Sequence, residues 1–193
     1  MEPLGSVEAA FETPSRLDDV LKPVVIIETP RTIFRRLTAD DLDDLCRLYA
    51  DADVRRYFPE GTLDRSHTKQ ELDSILSDGT GDGHELTLWA TIHKQTCRFI
   101  GRSGYVKWEI DGTQATEIAY LLDKEFWGQG LGTEIAGALV QYGFAQLGLR
   151  RLIALIDPRN TASIRTAEKA GFHYERDTLI GSAGCSIYAR HGY

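Results

Sequence analysis

The chain has 193 residues, 42% hydrophobic and 26% charged, a balance that suits one domain with a full hydrophobic core and excludes wholesale disorder. A formal net charge of −7 argues against general nucleic-acid binding, which depends largely on Lys and Arg at the phosphates. No apolar run approaches the roughly 20 residues that cross a bilayer. The charge and the lack of such a run together mean that neither nucleic acid nor membrane is an expected partner. The three cysteines lack CxxC spacing, which favours a reducing, cytoplasmic location over a disulfide framework.

The first half of the chain is predicted to contain one strand and two helices. Residues 1–24 are rich in Pro, Ser, Glu and Asp and are expected to form a flexible extension, which leaves residues 25–193 as a single domain. A strand is predicted around Thr32 to Arg36, after Pro30. The segment "TADDLDDLCRLYADADVRRYF" predicts an amphipathic helix with Thr38 as its candidate N-cap. A second helix is predicted over "HTKQELDSILSD", and "GTGDGH" predicts a loop.

The second half alternates strands with helices. A short polar turn separates the strands "ELTLWATIH" and "CRFIGRSGYVKWE", which predicts an antiparallel hairpin. A third strand, "ATEIAYLLD", leads through a glycine-rich loop into a helix that extends to about Leu147. The strand "RLIALID", the helix "TASIRTAEKAGF" and strands near "HYERD" and "CSIYAR" follow. Because one strand-helix-strand unit needs a crossover connection, this order predicts an α+β fold with a mixed sheet.

Three alternate glycines, Gly128, Gly130 and Gly132, follow a strand and open a helix. The free N–H groups of a helix N-terminus bind anions, and bare backbone lets a phosphate approach closely, so a pyrophosphate site is one interpretation. A glycine-rich turn with a helix cap is the other. A P-loop is excluded because no Gly-Lys-Ser/Thr closes the motif. A dinucleotide fingerprint, for which Asp157 could supply the ribose-binding acid, fails because Thr133 replaces its third glycine.

The glycine loop and a second motif further along the chain together indicate a protein family. The run "EIAYLLDKEFWGQGLGTEI", followed by "RLIALIDPRNTASIRTAEKAGF", resembles the Gcn5-related N-acetyltransferases, most closely the Rim-type branch of ribosomal-protein N-terminal acetyltransferases. Trp127 to Gly132 match the family's pyrophosphate motif with Trp in its first position. The resemblance extends from about Pro30 to the last strand, and it implies a central mixed, mostly antiparallel sheet, flanked by helices and splayed between its two central strands.

The resemblance implies transfer of an acetyl group from acetyl-coenzyme A to a primary amine by direct attack in a ternary complex. The acceptor would be a protein N-terminus, a polyamine or a drug-like amine. No metal is implied, and the five histidines show no HxxxH pattern. The residues carried over from the family as cofactor-binding are Leu121, Leu122, Gln129, Gly130, Leu131, Gly132, Thr133, Asn160 and Ser163.

Glu117 is the candidate general base, because it begins the splayed strand where the histone-acetylating branch carries its catalytic glutamate. Strand alternation places Glu117, Ala119 and Leu121 on one face, and the sequence leaves open which face meets the acceptor. The alternative for Glu117 is a solvated carboxylate at a strand end.

The second half of the family pattern carries one departure. Asn160 and Ser163 match pantetheine contacts, although a turn and a helix cap would use the same residue types. Ala167 stands where many relatives carry a tyrosine that protonates the leaving thiolate, so Ser163 is the candidate catalytic donor, with water as the alternative. Ala167 also motivates a second function class, an acyl-coenzyme A binding module without turnover. The sequence permits a monomer or a homodimer.

Overall fold

The fold is built on one eight-stranded sheet. A computed structural model describes residues 24–78 and 86–192, and residues 1–23 of the predicted extension lie outside the described residues. The strands are β1 Val25–Glu28, β2 Thr32–Arg36, β3 Leu88–His93, β4 Arg98–Ile110, β5 Thr113–Leu122, β6 Arg151–Ile156, β7 His173–Ile180 and β8 Ala183–His191. Their order is β1-β2-β3-β4-β5-β6-β8-β7, with β5 and β6 parallel and the other neighbours antiparallel. The predicted mixed sheet is confirmed.

Four helices cover the two faces of the sheet in the described part of the chain. They are α1 Leu42–Ala50, α2 Arg65–Asp78, α3 Leu131–Ala145 and α4 Thr161–Lys169, with short 3-10 turns at Ala39–Asp41 and Lys124–Phe126. A hydrophobic core lies on each face of the sheet. Neighbouring residues of β5 contribute to different cores, since Leu121 packs with α1 and α2 whereas Leu122 packs with α3 and α4. None of the described helices is long and apolar enough to cross a membrane.

The first helix is shorter than the sequence pattern indicates. Thr38 does lie at the predicted N-terminus, where its backbone N–H donates to Asp41 Oδ2 at 2.8 Å. The helix, however, ends at Ala50 instead of continuing to Phe58. Asp51 Oδ1 accepts the backbone N–H of Asp53 at 2.8 Å, and this local turn competes with further helical bonding. The prediction of one helix over this whole segment was therefore wrong at its C-terminal end.

The sheet opens between β5 and β6. Glu117 and Ile153 are the one ladder pair between these strands in the described residues, whereas β4 pairs with β5 along the whole length of β5. Helix α3 spans the opening from behind, because Tyr105 Oη on β4 donates to the Leu139 carbonyl of α3. On the same helix, Gly143 lies so close to β4 and β6 that a Cβ would come within 3.1 Å of Tyr105 and of Leu152.

Candidate active site

The N-terminus of α3 has no side-chain cap. Gly128 and Gly130 adopt φ angles of 72° and 77°, a left-handed conformation that favours glycine. Gly130 is the N-cap residue, and the N–H of Glu134 is the first to bond back to its carbonyl. The N–H groups of residues 131–133 therefore lack intrahelical acceptors. An ideal Cβ at Gly130 would approach only Arg31 Nη2, at 3.7 Å, so the space beside the loop is open for an anion.

Arg31 and Thr29 brace this loop from the segment before β2. Arg31 Nη1 donates to the Gln129 carbonyl at 2.8 Å, and Arg31 Nε donates to Glu134 Oε2 at 2.6 Å. Thr29 Oγ1 donates to Glu134 Oε1 at 2.6 Å. Burial acts to raise the pKa of Glu134, but the hydrogen bonds from Thr29 and Arg31 outweigh it and hold that pKa below its usual value. Glu134 therefore stays anionic and fixes Arg31 beside the glycines.

The backbone of β5 divides its hydrogen bonds between β4 and the opening. Asp123 donates its N–H to the Ile100 carbonyl at 2.8 Å, so the alternation of an antiparallel ladder directs Leu121 toward β4. A Cβ on Gly101 of β4 would lie 2.1 Å from the Leu121 carbonyl, in agreement with that direction. Leu122 faces the opening instead, where its carbonyl accepts Trp127 Nε1 at 2.8 Å.

The Glu117 side chain lies on the face of the sheet that α1 and α2 cover, as does Leu121 of the same alternating set. Its Oε2 accepts Trp108 Nε1 at 2.7 Å, and its Oε1 accepts the backbone N–H of Leu155 at 3.2 Å. The Leu155 N–H belongs to β6 just beyond the single ladder pair. Burial raises the pKa of Glu117 to about 7, although these two hydrogen bonds and the Arg102 guanidinium act to lower it.

Helix α4 combines a cap with a group of hydroxyls. Asn160 Oδ1 accepts the Ser163 N–H at 3.1 Å, so Asn160 does serve as the helix cap, and its amide nitrogen has no protein acceptor within the described ranges. The Tyr120 phenol of β5 faces the hydroxyls of Ser163 and Thr166, and burial raises the pKa of that phenol. Ala167 is fully buried in the core and presents no polar group.

The predicted residues converge from three elements. The first turn of α3 touches the second turn of α4, since a Cβ at Gly132 would lie 3.7 Å from Thr166. The glycine loop, the opening beside Leu122 and the N-terminus of α4 therefore form one path along the sheet. Sequence reasoning did not find Arg31 or the contacts of Tyr120, because both depend on residues distant in the chain. Within residues 24–78 and 86–192, no three His, Cys, Asp or Glu side chains gather as a cation-binding group.

This geometry agrees with what the chain resembles. Residues 31–173 match the Acetyltransferase (GNAT) domain family. The chain is 34% identical over 146 residues to the uncharacterized protein YkkB of Bacillus subtilis (strain 168), which covers 76% of this chain and 83% of that protein. The structure of the present chain is similar to that of an acetyltransferase (GNAT family) from Bacillus anthracis, with a TM-score of 0.72 and 25% identity. The match covers 87% of this chain and 98% of that one. The chain belongs to the Acetyltransferase (GNAT) domain family, and it is an acyltransferase.

A second similar structure is a ribosomal L7/L12 alpha-N-protein acetyltransferase in complex with coenzyme A. Its TM-score is 0.72 at 17% identity, with coverage of 87% of this chain and 98% of that one. At this level of identity the likeness shows the shared fold. The family that the two sequence motifs indicated is confirmed by the family match, while the Rim-type branch stays a prediction.

Proposed function

We propose that the protein transfers an acetyl group from acetyl-coenzyme A to a primary amine by direct attack in a ternary complex. The observation that carries the proposal is the pairing of two features across one opening of the sheet. An uncapped, glycine-lined helix N-terminus lies at one end of the opening, and a carboxylate with a pKa of about 7 lies at the other. That carboxylate is on the face that α1 and α2 cover, which we take as the acceptor face. The first suits a pyrophosphate, and the second suits an amine that must lose a proton.

The donor half uses backbone more than side chains. The N–H groups from Gln129 to Thr133, with Gly130, Leu131 and Gly132 between them, bind the pyrophosphate as fixed dipoles. Leu122 offers its backbone N–H to the pantetheine arm and the thioester carbonyl, and the direction of Leu121 toward β4 leaves it a supporting role. The Asn160 amide nitrogen and the Ser163 hydroxyl bind the arm from α4.

The acceptor half supplies the base. Glu117 accepts a proton from the acceptor amine, whose nitrogen then attacks the thioester carbon as the carbon-sulfur bond breaks. A group with a pKa of about 7 is half ionised at pH 7, which suits this transfer near neutrality. The leaving thiolate has a reference pKa near that of cysteine, about 8.5, so the Ser163 hydroxyl, oriented by Tyr120, suffices as its hydrogen-bond donor in place of a tyrosine at Ala167.

Several features of the proposal rest on the sequence alone. These are the Rim-type branch, the single domain over residues 25–193, the cytoplasmic location and the choice between monomer and homodimer. The competing function is a binding module that keeps the coenzyme A site without turnover, and the buried alanine at position 167 is the observation that favours it.

Calorimetric titration of the full chain with acetyl-coenzyme A tests the donor site, with coenzyme A and a nicotinamide dinucleotide as comparisons. We expect saturable binding of the first two ligands alone. Gly130→Asp should abolish this binding, because it places a carboxylate at the N–H groups. Gly130→Asn adds the same backbone strain of about 1–2 kcal/mol without the charge and should bind more weakly than wild type but detectably.

The matched control is Gly148→Asp, which introduces the same side chain at a φ of 62° with open space around it and away from the loop. It should bind acetyl-coenzyme A as wild type does. Retained binding by a folded Gly130→Asp variant, or preference for the dinucleotide, would refute the proposed donor site. Binding followed by turnover of an amine panel separates the enzyme from the binding module.

A further inference from the structure

Arg102 is a buried cation on the acceptor face of the sheet. It lies on β4 opposite Leu121 and is only 7% exposed. Its Nε donates to Tyr49 Oη and lies 3.7 Å from Glu71 Oε1. Its two terminal nitrogens, Nη1 and Nη2, have no acceptor among the described residues. Arg35 Nε is the one fully buried side-chain nitrogen or oxygen without a partner among the described residues, so the Nη atoms of Arg102 retain a small solvent-accessible surface.

Arg102 and Glu117 project from the same face and act on each other electrostatically. They are four strand positions apart, about 13 Å along the backbone, and the length of the arginine side chain shortens that gap. Gly104 and Ala119 occupy the intervening pair on this face. The side chains of this pair are no larger than a methyl group, and the Thr87 carbonyl lies beside Gly104. The interval between the anion and the cation is called the trough below.

Among the described residues, Glu71 is the carboxylate closest to Arg102. Arg55 stacks on Tyr49 and, like Arg102, is almost fully buried, whereas Glu71 is the one nearby carboxylate that is mostly buried. The carboxylate that pairs with Arg55, Glu60, is 64% exposed and therefore screened by solvent. Glu71 also accepts the Tyr49 hydroxyl, so the Nη atoms of Arg102 keep no carboxylate partner in the described part of the chain.

We propose that Arg102 binds a carboxylate of the acceptor, so that the substrate is an amino-acid-like zwitterion with its amine at Glu117. This inference rests on the proposed acetyl transfer and names its acceptor class. Guanidinium is suited to the task because its planar N–H groups match a carboxylate in a bidentate pair. A polyamine fits poorly, because its second ammonium group would meet the positive end of the trough.

The experiment measures binding to the full chain saturated with coenzyme A, which cannot transfer an acyl group. The probes are the twenty α-amino acids and, for each one that binds, its decarboxylated amine and its carboxamide. We expect at least one acid to bind about 10- to 100-fold more tightly than its matched amine, the range for charge-assisted hydrogen bonds. Absence of binding by every acid, or equal affinity for an acid and its amine or carboxamide, overturns the inference.

Variants on both sides of the guanidinium sharpen the test. Arg102→Met should bring the ratio of acid to amine affinity close to one, and Arg102→Lys, which keeps the charge without the bidentate geometry, should give an intermediate ratio. Glu71→Gln removes the competing carboxylate and should raise the ratio. If Arg102→Met does not fold, the opposite effects of the other two variants decide the matter. A ratio that none of the folded variants changes contradicts the inference.

The two proposals fail in different ways. Loss of coenzyme A binding by the wild-type chain refutes the proposed transfer itself. Normal coenzyme A binding with no preference for acids refutes only the role of Arg102.

Discussion

Glu117 couples the proposed chemistry to folding stability, and Glu117→Gln tests that coupling. The folded-state pKa of about 7 lies above the ordinary value of 4.5, so folding favours the protonated form. The stabilisation is complete below pH 4.5 and is lost as the pH rises through 7. From the two pKa values, this group alone should lower the free energy of unfolding by about 2.5 kcal/mol between pH 5 and pH 8.

The assay is urea unfolding of wild type and Glu117→Gln at half-unit steps from pH 5 to pH 8. Glutamine has one acceptor oxygen where Glu117 accepts two N–H groups, from Trp108 and Leu155, so the variant carries a constant penalty of about 1–3 kcal/mol. The diagnostic quantity is therefore the pH dependence of the difference between the two proteins, which should change by about 2.5 kcal/mol in favour of glutamine across the range.

Glu134→Gln is the matched control for this titration. The pKa of Glu134 lies below its usual value, so that carboxylate is ionised throughout pH 5 to 8 and its removal should leave the slope of wild type unchanged. Parallel stability curves for wild type and Glu117→Gln would show that the folded-state pKa is not raised, and the reasoning from burial would fail. In the rate of acetyl transfer, the wild type should show an acid limb near pH 7, and Glu117→Gln should lack it.

Two further predictions concern neighbouring contacts. Trp108→Phe removes an N–H donor that lowers the pKa of Glu117, so the acid limb of the pH-rate profile should move to higher pH. The control Trp127→Phe should leave the midpoint of that limb in place. Equal midpoints for Trp108→Phe and wild type would contradict this role. Asp41→Asn breaks a buried bidentate pair with Arg35 and should cost about 3–5 kcal/mol in chemical unfolding, against less than about 1 kcal/mol for Asp44→Asn in an exposed pair; similar losses would count against it.

Local chemistry explains why much of the fold could be predicted from the sequence. The glycines before α3 permit positive φ angles, and the hydrophobic period changes from two to about 3.6 at that point, so the strand, loop and helix follow from neighbouring residues alone. The Asn160 cap has the same character, since its partner is three residues away. Signals of this kind place the glycine loop and the family motif correctly without any knowledge of tertiary contacts.

The features that could not be predicted depend on contacts between distant segments. Arg31 meets Glu134 across 103 residues, and no local pattern marks either one as part of the loop. Arg102 reaches Tyr49 across 53 residues, so its position on the face that α1 and α2 cover could not be predicted from the sequence. The face of Glu117 depended on which helices cover each side of the sheet, a question of packing and not of alternation.

The single ladder pair between β5 and β6 leaves the width of the opening to be determined by packing elsewhere. Gly143 stands behind the sheet, wedged between Tyr105 of β4 and Leu152 of β6, and its missing side chain lets the two halves of the sheet approach α3 together. A methyl group at position 143 would push β4 and β6 apart or tilt α3. Packing behind the sheet therefore sets the distance between β5 and β6 at the opening. We expect substitutions at position 143 to alter acyl-chain selectivity, although residue 143 contacts none of the proposed site residues.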